Sequence, residues 1–130
     1  MKKIALLSII TLFVLSGCTK FEEGPFITLK TNKQRIAQTW TLEAKYDATT
    51  GQEVTIGDEK MTISKDGNYT YSLGGVQVIE GTWVFKGDDE IEFTYTALGF
   101  QVVDTYRIIK LYTEEFWMID DDHETHYKPY

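Results

Sequence analysis

The chain has 130 residues, which is enough for one domain with its own hydrophobic core. It carries 20 acidic side chains against 13 basic ones, for a formal net charge of −7. This balance argues against nucleic-acid binding, which needs a basic face, and against electrostatic docking on anionic lipid. The single cysteine excludes an intrachain disulfide, so the fold must be stabilised by its core. Aromatic residues make up 14% of the chain and favour β-structure.

The N-terminus has the pattern of a secretory signal. Lys2 and Lys3 precede the apolar segment 4–15, which is too short to cross a bilayer as a helix. The following Leu15-Ser16-Gly17-Cys18 resembles the lipobox of bacterial lipoproteins. The resemblance implies that residues 1–17 are removed as a signal peptide. It also implies that Cys18 is the lipidation site and receives acyl chains such as palmitate.

Three segments are therefore expected: the signal peptide 1–17, the lipidated cysteine and a flexible tether 18–25, and a folded domain 26–130. The tether ends in Gly24-Pro25 and lacks a hydrophobic pattern. We expect the protein in the cell envelope as an outer-membrane lipoprotein, with the periplasmic and the surface-exposed leaflet both open. Its membrane contact would then be the lipid on Cys18.

A short helix is predicted at the start of the domain. Thr31-Asn32-Lys33-Gln34 fits a capping box, with Thr31 as the N-cap and Gln34 reaching back to its main chain. The helix should run from Asn32 to about Gln38. Because so short a helix is unstable alone, it must pack on something larger.

Beyond the helix the hydrophobic period changes to two, which predicts strands. The alternation begins at Trp40, Leu42, Ala44 and Tyr46, which are expected on one face. A hairpin is predicted at Ser64–Asn68, since Asp66-Gly67 favours a tight turn. The later apolar faces are predicted at Tyr69/Tyr71/Leu73, Ile79/Gly81/Trp83/Phe85, Ile91/Phe93/Tyr95, Tyr106/Ile108/Lys110 opposite Ile109/Leu111, Phe116–Ile119 and Thr125–Tyr130.

About eight short strands with polar turns predict an all-β fold without long helices. Sequential hairpins favour an antiparallel up-and-down β-barrel, because closure removes the exposed edge strands. A barrel of eight strands can be filled by side chains or can hold one small ligand.

Four segments resemble lipocalin-like lipoproteins of Bacteroidetes, a group within the calycin-like β-barrels. They are Thr39-Trp40-Thr41-Leu42 after the helix, the hairpin Met61–Tyr69, Gly81-Thr82-Trp83, and Tyr106–Leu111 before the last strands. The resemblance covers the whole predicted domain and implies the same barrel. It does not imply a ligand, because the function of the family is largely unassigned.

The barrel interior is the first candidate site. An apolar cup with a few hydroxyls suits a small hydrophobic ligand or a peptide segment. The alternative is a solid core, since a domain without disulfides needs its aromatic residues for stability. The candidate lining residues are Tyr46, Tyr69, Tyr71, Trp83, Phe85, Phe93 and Tyr95.

The second candidate is a loop tip at Leu98-Gly99-Phe100, which is apolar where a turn should be polar. It favours an interaction or inhibitor protein whose Leu98 and Phe100 contact a protein partner or the membrane. Asp120–His126 contains carboxylates and two histidines, but His123 and His126 would lie on opposite faces of a strand. We therefore expect no metal, no cofactor and, without a nucleophile motif, no enzymatic activity.

Overall fold

The computed structural model of the chain describes residues 31–130. The predicted signal peptide, Cys18 and the tether lie outside the described residues, as does the predicted start of the domain at residue 26. The elements are α1 (Asn32–Ile36), β1 (Thr39–Asp47), β2 (Glu53–Val54), β3 (Glu59–Ile63), β4 (Asn68–Leu73), β5 (Val76–Lys86), β6 (Glu90–Ala97), β7 (Phe100–Leu111), β8 (Phe116–Ile119) and β9 (His123–Pro129).

Eight of the strands form a closed antiparallel barrel. Each of β3 to β8 pairs with the next strand along the chain, while β1 pairs with β3 on one side and β9 on the other. The short β2 is an additional strand. It pairs with Lys45 and Tyr46 near the end of β1, on the side of β1 that also pairs with β3. The predicted all-β up-and-down barrel of about eight strands is confirmed, whereas β2 was not predicted.

One end of the barrel is closed by α1. The predicted capping box is present: the Gln34 main-chain N–H donates to Thr31 Oγ1 at 3.2 Å, and the Thr31 N–H donates to Gln34 Oε1 at 2.9 Å. The helix ends at Ile36, two residues before the predicted end. Trp40 is fully buried beneath it and donates its indole N–H to the Ile36 carbonyl at 2.9 Å. A fixed, filled end of the barrel follows from these contacts.

Trp83 contributes to the same closed end. Its indole N–H donates to the Ser64 carbonyl at 2.8 Å, in the turn between β3 and β4. That turn has Gly67 at φ +94°, as the Asp66-Gly67 pair predicts. Both barrel-facing tryptophans thus tie the first half of the chain to this end.

The sheet has three register shifts, one of them between β4 and β5, and the bulges in β1 and β7 change faces that the sequence predicts. In β1 the register with β9 shifts between Leu42 and Ala44. In β7 the register with β8 shifts between Ile108 and Lys110. Because an extra residue in one strand reverses the facing of every residue beyond it, strict alternation fails at both places.

The predicted face Trp40, Leu42, Ala44 and Tyr46 is therefore wrong beyond Leu42: Lys45 faces the interior, and Tyr46 pairs with Glu124 on the outer face. The prediction that Ile108 and Lys110 lie on the same face of β7 is wrong because of the bulge in that strand. Ile108 and Leu111 are the buried residues, and Lys110 lies over the outer-face Trp117 ring.

Candidate functional site

The barrel holds a cavity of about 170 Å³ in the half away from α1. The strands that reach this end finish at the turns 48–52, 74–75, 98–99 and 120–122. Residues from all eight barrel strands line the cavity. They are Leu42, Lys45, Glu59, Met61, Tyr69, Tyr71, Ile79, Phe93, Tyr95, Asp104, Tyr106, Met118, Thr125 and Tyr127.

Six of the fourteen lining residues are aromatic. The Tyr69 ring centroid lies 4.5 Å from that of Phe93, and the Phe93 centroid lies 5.9 Å from that of Tyr106. Tyr69 and Phe93 are only 7% and 2% exposed. These rings give the cavity a rigid apolar floor, because each is held by its neighbours.

Two carboxylates and one lysine add charge to this wall. The Tyr71 hydroxyl donates to Glu59, and the Tyr95 hydroxyl donates to Asp104 Oδ2 at 2.7 Å. The Lys45 ammonium group forms no ion pair or hydrogen bond with any residue of 31–130. With both carboxylates ionised, the cavity has a net charge of −1.

The tyrosine hydroxyls of the cavity stay neutral well above physiological pH. Burial raises the pKa of Tyr69, and the neighbouring Tyr106, Tyr95 and Asp104 raise it further. Burial and the hydrogen bond to Asp104 raise the pKa of Tyr95 to about 12. Burial also raises the pKa values of Tyr106 and Tyr127 above the usual range. Each of these side chains can therefore donate a hydrogen bond as well as accept one.

The structure brings together four of the seven candidate lining residues: Tyr69, Tyr71, Phe93 and Tyr95 line the cavity. Trp83 and Phe85 face inward from β5, but they lie at the closed end. There their rings pack edge to face at 5.1 Å and border a surface groove beside Lys33. Filling that end with large rings is what separates them from the cavity.

Tyr46 is outside the cavity because of the β1 bulge. Its ring lies 5.0 Å from the His126 ring, which stacks on Trp117 at 3.7 Å. This outer-face stack covers β1, β8 and β9 where they pair. Tyr46 therefore belongs to the packing of the barrel wall.

The predicted loop tip is exposed at the cavity end. Leu98 is 98% exposed and Phe100 is 75% exposed, and Leu98 has a positive φ of 52°. Leu73 and Val76, on the neighbouring β4–β5 hairpin, are 47% and 65% exposed. Two hairpins thus present apolar side chains at the end of the barrel where the cavity lies.

Within residues 31–130 there is no cluster of three or more His, Cys, Asp or Glu side chains that could hold a metal ion. His126 faces outward, in register with Ala44. His123 lies three residues before His126 and is in register with Asp47. In a strand this odd spacing places the two side chains on opposite faces. No helix in this part of the chain is long and apolar enough to cross a membrane.

Sequence reasoning missed several lining residues. Glu59 shares the alternation of Met61 and Ile63, and Asp104 shares that of Tyr106, so the period of two could have found both. Tyr127 and Thr125 alternate in the same way. Lys45 carried no such signal, since its inward position depends on the bulge.

Comparison with known proteins supports the fold. The structure resembles the crystal structure of a lipocalin-like protein from Bacteroides uniformis, with a TM-score of 0.62 and 14% sequence identity. The match covers 74% of this chain and 99% of that protein. No protein-family model and no curated protein sequence matches the chain. The chain therefore has a lipocalin-like barrel fold.

Proposed function

We propose that the protein is a non-enzymatic binding module that holds one small, largely apolar ligand in the cavity of its barrel. The observation that supports this proposal is the 170 Å³ cavity lined by tyrosine, phenylalanine and methionine side chains. A solid-core barrel would have filled this volume with side chains, as the closed end does.

The cavity volume limits the ligand. An apolar protein cavity of about 150 Å³ binds benzene, whereas pockets for drug-sized ligands measure roughly 300–1,000 Å³. A cavity of 170 Å³ therefore suits a single-ring compound, or one side chain of a peptide segment. Haem and long acyl chains are too large for it.

A matched pair of variants on β5 tests this function. Ile79 lines the cavity, whereas Val84 on the same strand is 50% exposed. Ile79→Phe should fill the cavity and remove binding of single-ring fragments in ligand-observed NMR. Val84→Phe should leave binding unchanged. Equal binding by the two folded variants would refute the cavity as the site.

We also propose that the module is anchored in the cell envelope through lipid on Cys18. The support is the Leu15–Cys18 motif and the apolar segment before it. The full-length protein should partition into the detergent phase of a phase-separation assay and incorporate labelled palmitate. Cys18→Ser should abolish both properties, and unchanged labelling of this variant would refute the anchor.

The alternative function is recognition of a protein partner through the loop tip. It is favoured by the exposure of Leu98 and Phe100. A photo-crosslinker at the exposed position of Gln101, beside the tip, should then capture one envelope protein, and Leu98→Ser together with Phe100→Ser should prevent the capture. Capture that persists in the double variant would exclude this surface.

A further inference from the structure

The cavity contains a polar corner whose hydroxyl groups are incompletely partnered. The Tyr69 side chain is 7% exposed, and its hydroxyl has no hydrogen-bond partner among residues 31–130. The Tyr106 hydroxyl also lacks a protein partner within this range. Because both hydroxyls border the cavity, they are available to a polar ligand group in this corner.

The charge beside these hydroxyls is negative. Asp104 lies opposite Phe93 in the β6–β7 register and raises the pKa of Tyr69, Tyr95 and Tyr106. The Tyr95 hydroxyl donates to Asp104 Oδ2, and no residue from 31 to 130 donates to Asp104 Oδ1. A carboxylate oxygen and two tyrosine oxygens can together accept N–H donors from one group.

The wider field at this end of the barrel has the same sign. Glu59 adds a second carboxylate to the cavity, against Lys45 as its one cation. Asp120, in the turn beside this end, is close enough to raise the pKa of Tyr106. The whole chain has a net charge of −7. A cleft of one charge sign concentrates ligands of the opposite sign.

We propose that the ligand is a small organic ammonium ion with one apolar ring. Its N–H groups donate to Asp104 and to the hydroxyl oxygens of Tyr69 and Tyr106. Its ring packs against Phe93 and the neighbouring tyrosine faces, which also attract a cation through their π-electrons. This inference rests on the proposed function and adds the charge and the anchoring residues of the ligand.

Three ring compounds of nearly equal size test the inference: benzylammonium, benzyl alcohol and benzoate. Dissociation constants are measured by NMR titration of the isotope-labelled folded domain. Benzylammonium should bind at least about tenfold more tightly than benzyl alcohol, because hydrogen bonds to a charged group are the stronger ones. Benzoate should bind most weakly of the three.

Two carboxyl-to-amide variants make the control. Asp104→Asn should reduce the preference for benzylammonium to about twofold or less. Asp88→Asn removes the same charge from an exposed turn at the closed end and should leave the preference intact. Lys45→Met provides a test that does not depend on Asp104: removing the like charge should raise the preference for benzylammonium over benzyl alcohol about threefold.

The outcomes separate the inference from the function on which it rests. Equal binding of alcohol and ammonium, tighter binding of benzoate, or a preference that survives Asp104→Asn overturns the inference and leaves the binding module standing. If none of the three compounds binds the wild-type domain, the proposed function fails and the inference fails with it.

Discussion

Gly81 lets β5 and β6 approach closely beside the cavity, and we expect Gly81→Ala to destabilise the protein strongly. Gly81 of β5 lies directly opposite Tyr95 of β6 in the antiparallel pair. A Cβ atom at Gly81 would lie 2.1 Å from the Thr94 carbonyl oxygen and 2.9 Å from Tyr95 Cβ. The first contact is to main chain, so no side-chain rotation relieves it, and the two strands must separate.

The magnitude follows from these distances. Overpacking a well-packed interior costs about 1–3 kcal/mol, and separation of the strands weakens about one ladder hydrogen bond worth about 1 kcal/mol. We expect a loss of about 2–4 kcal/mol from a total stability that is about 5–15 kcal/mol for a domain of this kind. With a urea m-value of about 1–2 kcal/mol/M, the unfolding midpoint should fall by more than about 1 M.

Gly57→Ala is the matched control in a urea titration followed by tryptophan fluorescence. A Cβ at Gly57 has no heavy atom within 4 Å, and its φ does not lie in the left-handed region. This variant should change stability by less than about 0.5 kcal/mol or stabilise the protein slightly. A Gly81→Ala midpoint equal to that of Gly57→Ala would refute the close approach of β5 and β6.

Three further predictions concern the core, the helix and the cavity. Trp40→Phe should cost about 2–3 kcal/mol, since it removes buried volume and the bond to the Ile36 carbonyl, whereas Trp117→Phe on the outer face should cost less than about 1 kcal/mol; urea unfolding distinguishes them. Thr31→Ala should cost about 1 kcal/mol by removing the cap, measured in the same way, and no change would mean that α1 does not depend on its capping box. The four phenols with raised pKa have folded values above the unfolded value of 10, so their contribution to stability is complete below pH 10 and is lost as the pH rises beyond it. Ultraviolet absorbance and circular dichroism should therefore show these groups ionising as the fold is lost, and their ionisation near pH 10 with native dichroism would contradict their burial.

Much of the fold could be predicted because local signals and the strand period agree with it. The capping box at Thr31 and the Asp66-Gly67 hairpin are short-range features, and both form as predicted. Period-two alternation correctly placed Trp83 and Phe93 on inner faces, where they are in register. In an up-and-down barrel each strand pairs with its sequence neighbour, so correct strands largely determine the topology.

The site was less predictable because it depends on irregularities of the sheet. A bulge depends on pairing with a distant strand, so the sequence around Glu43 does not reveal that Lys45 turns inward and Tyr46 outward. Alternation also cannot tell the two ends of a barrel apart. Trp83 and Tyr95 face the same interior, yet one closes an end and the other borders the cavity.

The division of the barrel into two halves explains how so small a domain can retain a cavity. Ile36, Trp40 and Leu111 are fully buried in the described structure, and Trp40 and Trp83 both anchor their indoles to main-chain carbonyls. With stability supplied by a closed, filled end, the other half can keep polar groups that a core would not tolerate. Asp104 and Glu59 are acceptable there because tyrosine hydroxyls donate to both carboxylates and the cavity admits solvent or ligand. A fully packed core would contain no such carboxylates, so their presence points to the binding of a ligand. Changing the ligand's charge and the charge at Asp104 is therefore the sharpest test of what the barrel binds.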